Sequence, residues 1–165
     1  MKAGHANQSD LNATNAPDAE GALSVRVRYV ECDPMGVAHH ASYLPWLEMG
    51  RTELLRTSGV TYGAMEAGGF FLVIIRCEVK YRRPLRYDDV IEVRTKLAGG
   101  SRIKIKHEYE LVLIERNGKS LEPADPSVPI DGVCAIATTE LACVGSDGRP
   151  KELPVWLSSD SGRVS

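Results

Sequence analysis

Between residues 31 and 48 the chain carries Glu31, Asp33, His39, His40 and Glu48 in one run, interleaved with Pro34, Gly36, Tyr43 and Trp46. A carboxylate acts on a polarised carbonyl in two ways: it attacks the carbon, or it takes a proton from water. An imidazole nearby orients that acid or donates to the oxygen on which charge develops. The run opens with an acid, a proline and a glycine, which is loop chemistry, and closes in an aromatic-rich helical pattern. A helix start supplies unpaired N–H groups and a dipole that favour negative charge. These are the parts for hydrolysing an activated carbonyl compound.

Each residue also has a plainer role open to it. Asp33 is the candidate acid, yet Asp-Pro-x-Gly is good turn chemistry. His40, at the start of the helical pattern, also suits capping or packing. His39 reads as pocket lining. Glu48 is either a second carboxylate of the site or the i,i+3 ion-pair partner of Arg51, and support is the favoured reading. Tyr43, Trp46 and Leu47 line an acyl pocket or form plain core. Cys32, Asp33, His39 and His40 lie close in sequence, but adjacent histidines with no fourth ligand at standard spacing make a poor metal set. No metal is expected, and zinc content would test that. His107 alternates with apolar residues, as a satisfied strand histidine does.

The elements that must hold this run follow from periodicity. Residues 1–21 are rich in Ala, Asn, Asp and Gly; they predict a disordered tail, with His5 in it. Leu23, Val25, Val27 and Tyr29 alternate with polar residues as a half-buried strand. From Ser42 to Ser58 apolar positions at 43, 46, 47 and 54 share a helix face if Gly50 is a close-packing point. Ser42 is the expected N-cap and Gly59 the stop. A short second helix fits residues 60–67. Strands are predicted over 70–83, with Val73, Ile75, Cys77, Val79 and Tyr81 on one face, then 91–97, 103–113 and 133–144. Residues 117–131 read as a long loop that caps a pocket or extends an interface. The chain after Pro154 reads as loose.

One helix among five long strands, with no βαβ alternation, predicts an α+β domain with a mainly antiparallel sheet. The last strand is apolar on both faces, so it should be central and covered on both sides, part of the outer surface by a second copy. A net charge of −2 gives no electrostatic basis for binding nucleic acid. No apolar run reaches the ~18 residues of a membrane span, and no apolar h-region marks a secretory signal. Four cysteines without CxxC spacing, three of them in apolar strand-like runs, read as reduced core thiols of a cytoplasmic protein.

Arg28-Tyr29-Val30-Glu31-Cys32-Asp33-Pro34-Met35-Gly36-Val37, followed by His40-Ala41-Ser42-Tyr43, Glu48 and Arg51-Thr52-Glu53, resembles the signature of the hotdog-fold acyl-CoA thioesterases, within them the 4-hydroxybenzoyl-CoA thioesterase type and its broader acyl-CoA relatives. Val79 to Val90 resembles the second recognisable segment of that family. The resemblance covers residues 23 to 145. It implies the hotdog fold, one long central helix wrapped by a five-stranded sheet, here as a domain over 22–157 with a loose tail from 158 to 165. It implies homodimers joined edge to edge, paired again as homotetramers, with active sites at the dimer interface. It implies coenzyme A thioesters as substrates, with no bound cofactor.

By the same resemblance Asp33 takes the place of the catalytic acid, as nucleophile or general base. The N–H near His40 polarises the thioester oxygen. His40 and Glu48 join Asp33 as catalytic candidates, and Gly36, Val37, His39 and Tyr43 as substrate-binding ones. The phosphates of coenzyme A require cations. Arg82, Arg83 and Arg86 beside Pro84 could supply them, as could Ser101, Arg102 and Lys104 after Gly99-Gly100; a solvated strand face is the plainer reading of either group. The fold alone does not settle function. A non-catalytic acyl-CoA-binding regulator is the main alternative. A hotdog dehydratase or hydratase uses a different helix motif, absent here. The acyl group stays open among aromatic, short-chain and medium-chain, and an acyl-carrier protein could replace free coenzyme A.

Overall fold

The computed structural model describes residues 16–120 and 128–158. Residues 1–15 with His5, the middle of the 117–131 loop and the 159–165 end lie outside the described residues.

The first strand, β1, is Glu20–Arg26. It starts earlier than expected, because Glu20 and Gly21 pair with Lys96 and Thr95. It also ends earlier: Tyr29–Glu31 is a 3-10 turn, and Tyr29 is 81% exposed instead of facing inward. After the 31–39 loop comes a 3-10 turn, His40–Ser42, and then the long helix α1, Tyr43–Arg56. A short α2, Tyr62–Ala67, follows. The rest is sheet: β2 Phe71–Tyr81, β3 Val90–Gly100, β4 Lys104–Arg116, a two-residue β5 Lys119–Ser120, and β6 Val133–Val144. Every pairing is antiparallel, in the order β1-β3-β4-β6-β2, with β5 beside β4. The sheet thus has the five long strands expected plus the short β5, which turns back on β4 at Asn117-Gly118, where both residues have positive φ.

Helix α1 buries the stripe that its spacing predicts. Tyr43, Trp46, Leu47, Leu54 and Leu55 are at most 5% exposed. Its first half meets Ile91, Val93, Leu111 and Ala135 in one core cluster, and Leu55 meets Ile105, Leu141 and Cys143 in a second. Each such aliphatic side chain contributes about 1.5–3 kcal/mol on burial. Gly50 is the close-packing point: a Cβ there would meet Thr95 Oγ1 at 2.4 Å. Gly59 ends the segment at φ +84°, donating to Arg56 O. Leu153 and Leu157 join the second cluster, so the chain after Pro154 is packed where looseness was expected. Lys151 anchors this segment through Gly69 O and the Phe70 ring.

Two strands depart from simple alternation. In β2 the register to β6 shifts between Ile74 and Arg76, so the face expected to run from Val73 to Tyr81 slips by one residue. As an edge strand it leaves Val73, Ile74 and Ile75 more than 40% exposed. Strand β6 is internal, between β4 and β2, but within one chain it is covered on one side only: Ile136 and Thr138 are exposed on the other. Of the cysteines expected in the core, Cys134 and Cys143 are buried, Cys32 is half-buried and Cys77 lies exposed on β2. Among the described residues no helix is long and apolar enough to cross a membrane.

Candidate active site

Glu31 is the bracket of the 31–48 run. Its carboxylate is buried and takes three hydrogen bonds: from the Arg28 N–H at 2.7 Å, from the Arg28 guanidinium at 2.8 Å and from the Trp46 indole at 3.0 Å. Its carbonyl accepts from the His39 N–H and from Ser42 Oγ, each at 2.8 Å. One residue therefore ties β1, the loop and the first turn of α1 together. Burial works to raise the Glu31 carboxyl, but the Arg28 and Trp46 hydrogen bonds outweigh it and hold the group below the usual carboxylate range. Periodicity does not single this residue out; its signal was the acid two positions before Asp33.

Asp33 sits in a tight turn. Its N–H donates to Val37 O, its carbonyl accepts from the Gly36 N–H, and Oδ1 accepts from the Met35 N–H at 2.9 Å. Gly36 permits the turn with φ +77°. The turn-forming role of Asp33 is therefore real, and it fixes the carboxylate on the loop. The legs of the loop meet at a bridge between Cys32 and Ala38. The Cys32 thiol is raised by burial and then by the charges of Glu31, Asp33 and Asp89, which all bear on it.

The start of the helix is capped differently from the expectation. Ser42 makes no cap bond, because its hydroxyl is spent on Glu31 O. His39 caps instead: its Nδ1 accepts from the Ala41 N–H at 3.2 Å. The His39 and His40 rings lie 4.1 Å apart, and both are exposed. His40 O accepts from Tyr81 Oη at 2.9 Å. The His40 N–H donates to no acceptor among the described residues. Tyr43, a candidate for the acyl pocket, is 2% exposed and packs on Trp46 and Tyr81 as core. Burial pushes its hydroxyl up to about 12.

The other candidates divide by position. Arg82 and Arg83 follow β2 directly, and Arg86 bridges to Val37, so this arginine group lies at the loop's end of the sheet. Arg82 is paired with Asp131 at 2.7 Å; Arg83 and Arg86 form no ion pair among the described residues. Ser101 and Arg102 are not part of this neighbourhood. Arg82 and Arg83 donate their N–H groups to Cys134 O, whereas Ile103 O accepts from Cys143, nine residues along β6 and about 30 Å away at strand rise. Arg102 is paired with Glu152.

Glu48 lies about 13 Å along the helical run from His40, too far for both to reach one carbonyl within a chain. It is exposed and accepts from Arg51 at 3.3 Å, the ion pair that the spacing offered. Arg51 is itself buried and lines a cavity of about 10 Å³ with His107 and Tyr62. His107 is buried as expected, but its Nδ1 has no partner among the described residues; burial and then the Arg51 cation push the side chain down to about 4. Cys32, Asp33, His39 and His40 do not form a set that could hold a metal ion, among the described residues. A groove of about 820 Å³ runs over the outer face of the sheet between Glu78, Lys80, Arg94 and Glu110, and none of the expected site residues lines it.

Known proteins resemble this chain in sequence and in fold. YbgC of Escherichia coli O157:H7, named as an acyl-CoA thioester hydrolase, is 38% identical over 73 residues, 44% of this chain and 54% of its own. YneP of Bacillus subtilis (strain 168) is 34% identical over 87 residues, 53% of this chain and 63% of its own. The matched stretches thus span less than two thirds of these relatives. The solved structure of the DHNA-CoA thioesterase from Staphylococcus aureus superposes with a TM-score of 0.68 at 25% identity, covering 81% of this chain and 80% of that one. The architecture is the hotdog fold. Residues 27–160, from the end of β1 through the C-terminal segment, match the model of one family, and the chain belongs to the thioesterase-like superfamily.

Proposed function

We propose that the protein hydrolyses an acyl-CoA thioester to the free acid and coenzyme A. Asp33 acts on the thioester carbonyl directly or removes a proton from the attacking water. The carbonyl oxygen takes up charge toward the His40 N–H at the opening of the α1 run. By the general-base route the C–S bond then breaks and the sulfur leaves as the coenzyme A thiol, taking the proton removed from water. By the direct route the thiolate leaves an acyl–Asp33 anhydride, and the water that splits it releases the free acid, restores the carboxylate and supplies the proton of the thiol. The observation that carries this reading is the local arrangement: a carboxylate held by its own turn, on a loop whose legs meet at Cys32 and Ala38, just before a helical run whose first N–H donates to no acceptor among the described residues. Arg83 and Arg86 beside that loop are the cations this chain offers to the phosphates. His39 and His40 rim the entrance.

The site is completed by a second copy joined at the β2 edge. Val73, Ile74 and Ile75 expose apolar side chains there, beside unpaired strand backbone. In this reading the acyl cleft lies between copies; the 820 Å³ groove on the outer sheet face does not include Asp33. Glu48, remote from His40 within one chain, then serves the partner's site or stays a support for Arg51. Paired dimers would use the charged outer face of the sheet.

The test is release of free thiol from aromatic, short-chain and medium-chain acyl-CoA and from an acyl-carrier thioester. Asp33→Asn should lose most activity, about 10²-fold or more, while acyl-CoA binding persists. Equal rates for the two proteins would remove Asp33 from the reaction. Tight binding with no turnover by wild type would make the protein a non-catalytic acyl-CoA binder.

A further inference from the structure

We propose that Asp89 and Arg116 are positioning residues for Asp33, forming a buried clamp that sets the loop carrying the carboxylate; the inference rests on the hydrolytic reading above. Arg116 ends β4, and Asp89 immediately precedes β3. Arg116 Nε donates to Asp89 Oδ1 at 2.9 Å and Nη2 to Oδ2 at 2.7 Å, a fork-to-fork pair with side chains 7% and 1% exposed. Such a pair is stiff as well as strong, because two parallel bonds fix both planes. A buried ion pair is weak ground for a purely stabilising role, since apolar residues of similar volume do as well or better. Its geometry is where its use lies.

Each remaining link to Asp33 is a short hydrogen bond. Asp89 Oδ2 also accepts from the Arg86 N–H at 2.7 Å, and Arg116 Nη2 also donates to Pro84 O at 3.2 Å. The 84–89 segment is thus held at both ends. Its middle grips the catalytic loop: Leu85 O accepts from the Ala38 N–H at 2.7 Å, and Arg86 bridges to Val37. Val37 O in turn accepts from the Asp33 N–H at 3.0 Å. The carboxylate therefore takes its position from a charge pair between the residue before β3 and the last residue of β4. No reacting atom need touch Asp89 or Arg116.

The test uses the full chain with Asp89→Asn, Arg116→Met and Arg116→Lys, beside Asp33→Asn. Folding is checked by circular dichroism and assembly by gel filtration. Two readouts are taken: kcat and KM for the best acyl-CoA, and amide hydrogen exchange at residues 36–38 and at α2. Displacement of the acid by about an ångström should cost kcat up to about 10²-fold while KM stays within about twofold. Exchange at Ala38, whose N–H is bonded to Leu85 O, should quicken by about tenfold or more while α2 is unchanged. Arg116→Lys, which keeps the charge but not the fork, should fall between wild type and Arg116→Met on both readouts. Unchanged kcat in a folded Asp89→Asn protein overturns the proposal. So does unchanged exchange at 36–38, or a loss spread equally over the whole chain. If Asp89→Asn does not fold, the lysine variant decides by the same criteria. If Asp33→Asn is as active as wild type, Asp33 is removed from the reaction, and exchange alone then judges whether the clamp holds the loop.

Discussion

Tyr81 donates its hydroxyl hydrogen to the carbonyl oxygen of His40 at 2.9 Å, across 41 residues of sequence. Its ring meets Tyr43 edge-on with centroids 4.8 Å apart. The last residue of the edge strand β2 thus holds the turn from which α1 departs. An interface formed along β2 would bear directly on that turn, and assembly would then be coupled to the geometry of the helix start through one side chain.

Tyr81→Phe isolates the hydrogen bond, because the ring contact is kept. The variant should lose about 1 kcal/mol of stability. If the His40 N–H receives developing charge, kcat should also fall several-fold at nearly constant KM. Thermal melts and thiol release check the two parts separately. Full activity with reduced stability would confine Tyr81 to packing.

Glu31→Gln tests the bracket. The folded Glu31 carboxyl lies below its ordinary value through its Arg28 and Trp46 hydrogen bonds, against the pull of burial. A depressed carboxylate stabilises the fold above its unfolded pKa of about 4.3 and loses that contribution as pH falls through the folded value. Wild type should therefore exceed the variant by about 1–3 kcal/mol at pH 7, with the gap closing in acid below about pH 4. Urea titrations at both pH values measure it, and a gap that ignores pH would assign the loss to shape instead of charge.

What the sequence made legible was set by neighbours. The period of two in β3 and β4 and the stripe at 43, 46, 47 and 54 are local patterns, and both strands and helix formed on them. Asp33 was visible because its acid, proline and glycine are adjacent. What stayed hidden depends on partners far along the chain. Asp89 carries no local signal of its role, since its partner Arg116 lies 27 positions away. Ser42 looked like the cap, but Glu31 O, 11 positions back, claims its hydroxyl and leaves His39 to cap the turn. The β2 face slipped because a bulge answers to the register of β6, which alternation within one strand cannot report. Arg102 shares its charge with Arg82 and Arg83, but it lies with Ser101 at the other end of the sheet.

Gly50 offers a test of the helix–sheet seam. A Cβ at this position meets Thr95 Oγ1 at 2.4 Å and Val93 Cγ1 at 3.2 Å. Gly50→Ala should destabilise by about 1–3 kcal/mol through overpacking, less a gain of up to about 1 kcal/mol from helix propensity. Thr95 Oγ1 is buried without a partner among the described residues, so adding Thr95→Ala should recover much of the loss. A double-mutant cycle by chemical denaturation reads the coupling, and strictly additive effects would refute the contact.

His107 sets the acid limit of the fold. Its side chain is pushed down to about 4 by burial and by the Arg51 cation, whereas the unfolded chain titrates near 6.5. Below about pH 6.5 the unfolded state gains a proton that the folded state refuses, so stability falls with falling pH by up to about 1.4 kcal/mol per unit. The loss levels off once the folded histidine also takes its proton, near pH 4. Glu31 acts in the same direction but only below its unfolded value of about 4.3, so the two groups separate in pH. His107→Gln, which cannot charge, should flatten the stability profile between pH 6.5 and 4 while leaving the Glu31 limb in place. Denaturation at half-unit steps measures the profile, and proton NMR of the imidazole measures the group itself. A ring that titrates near 6.5 in the folded protein would mean that water or an anion reaches the Arg51 cavity and screens the charge there.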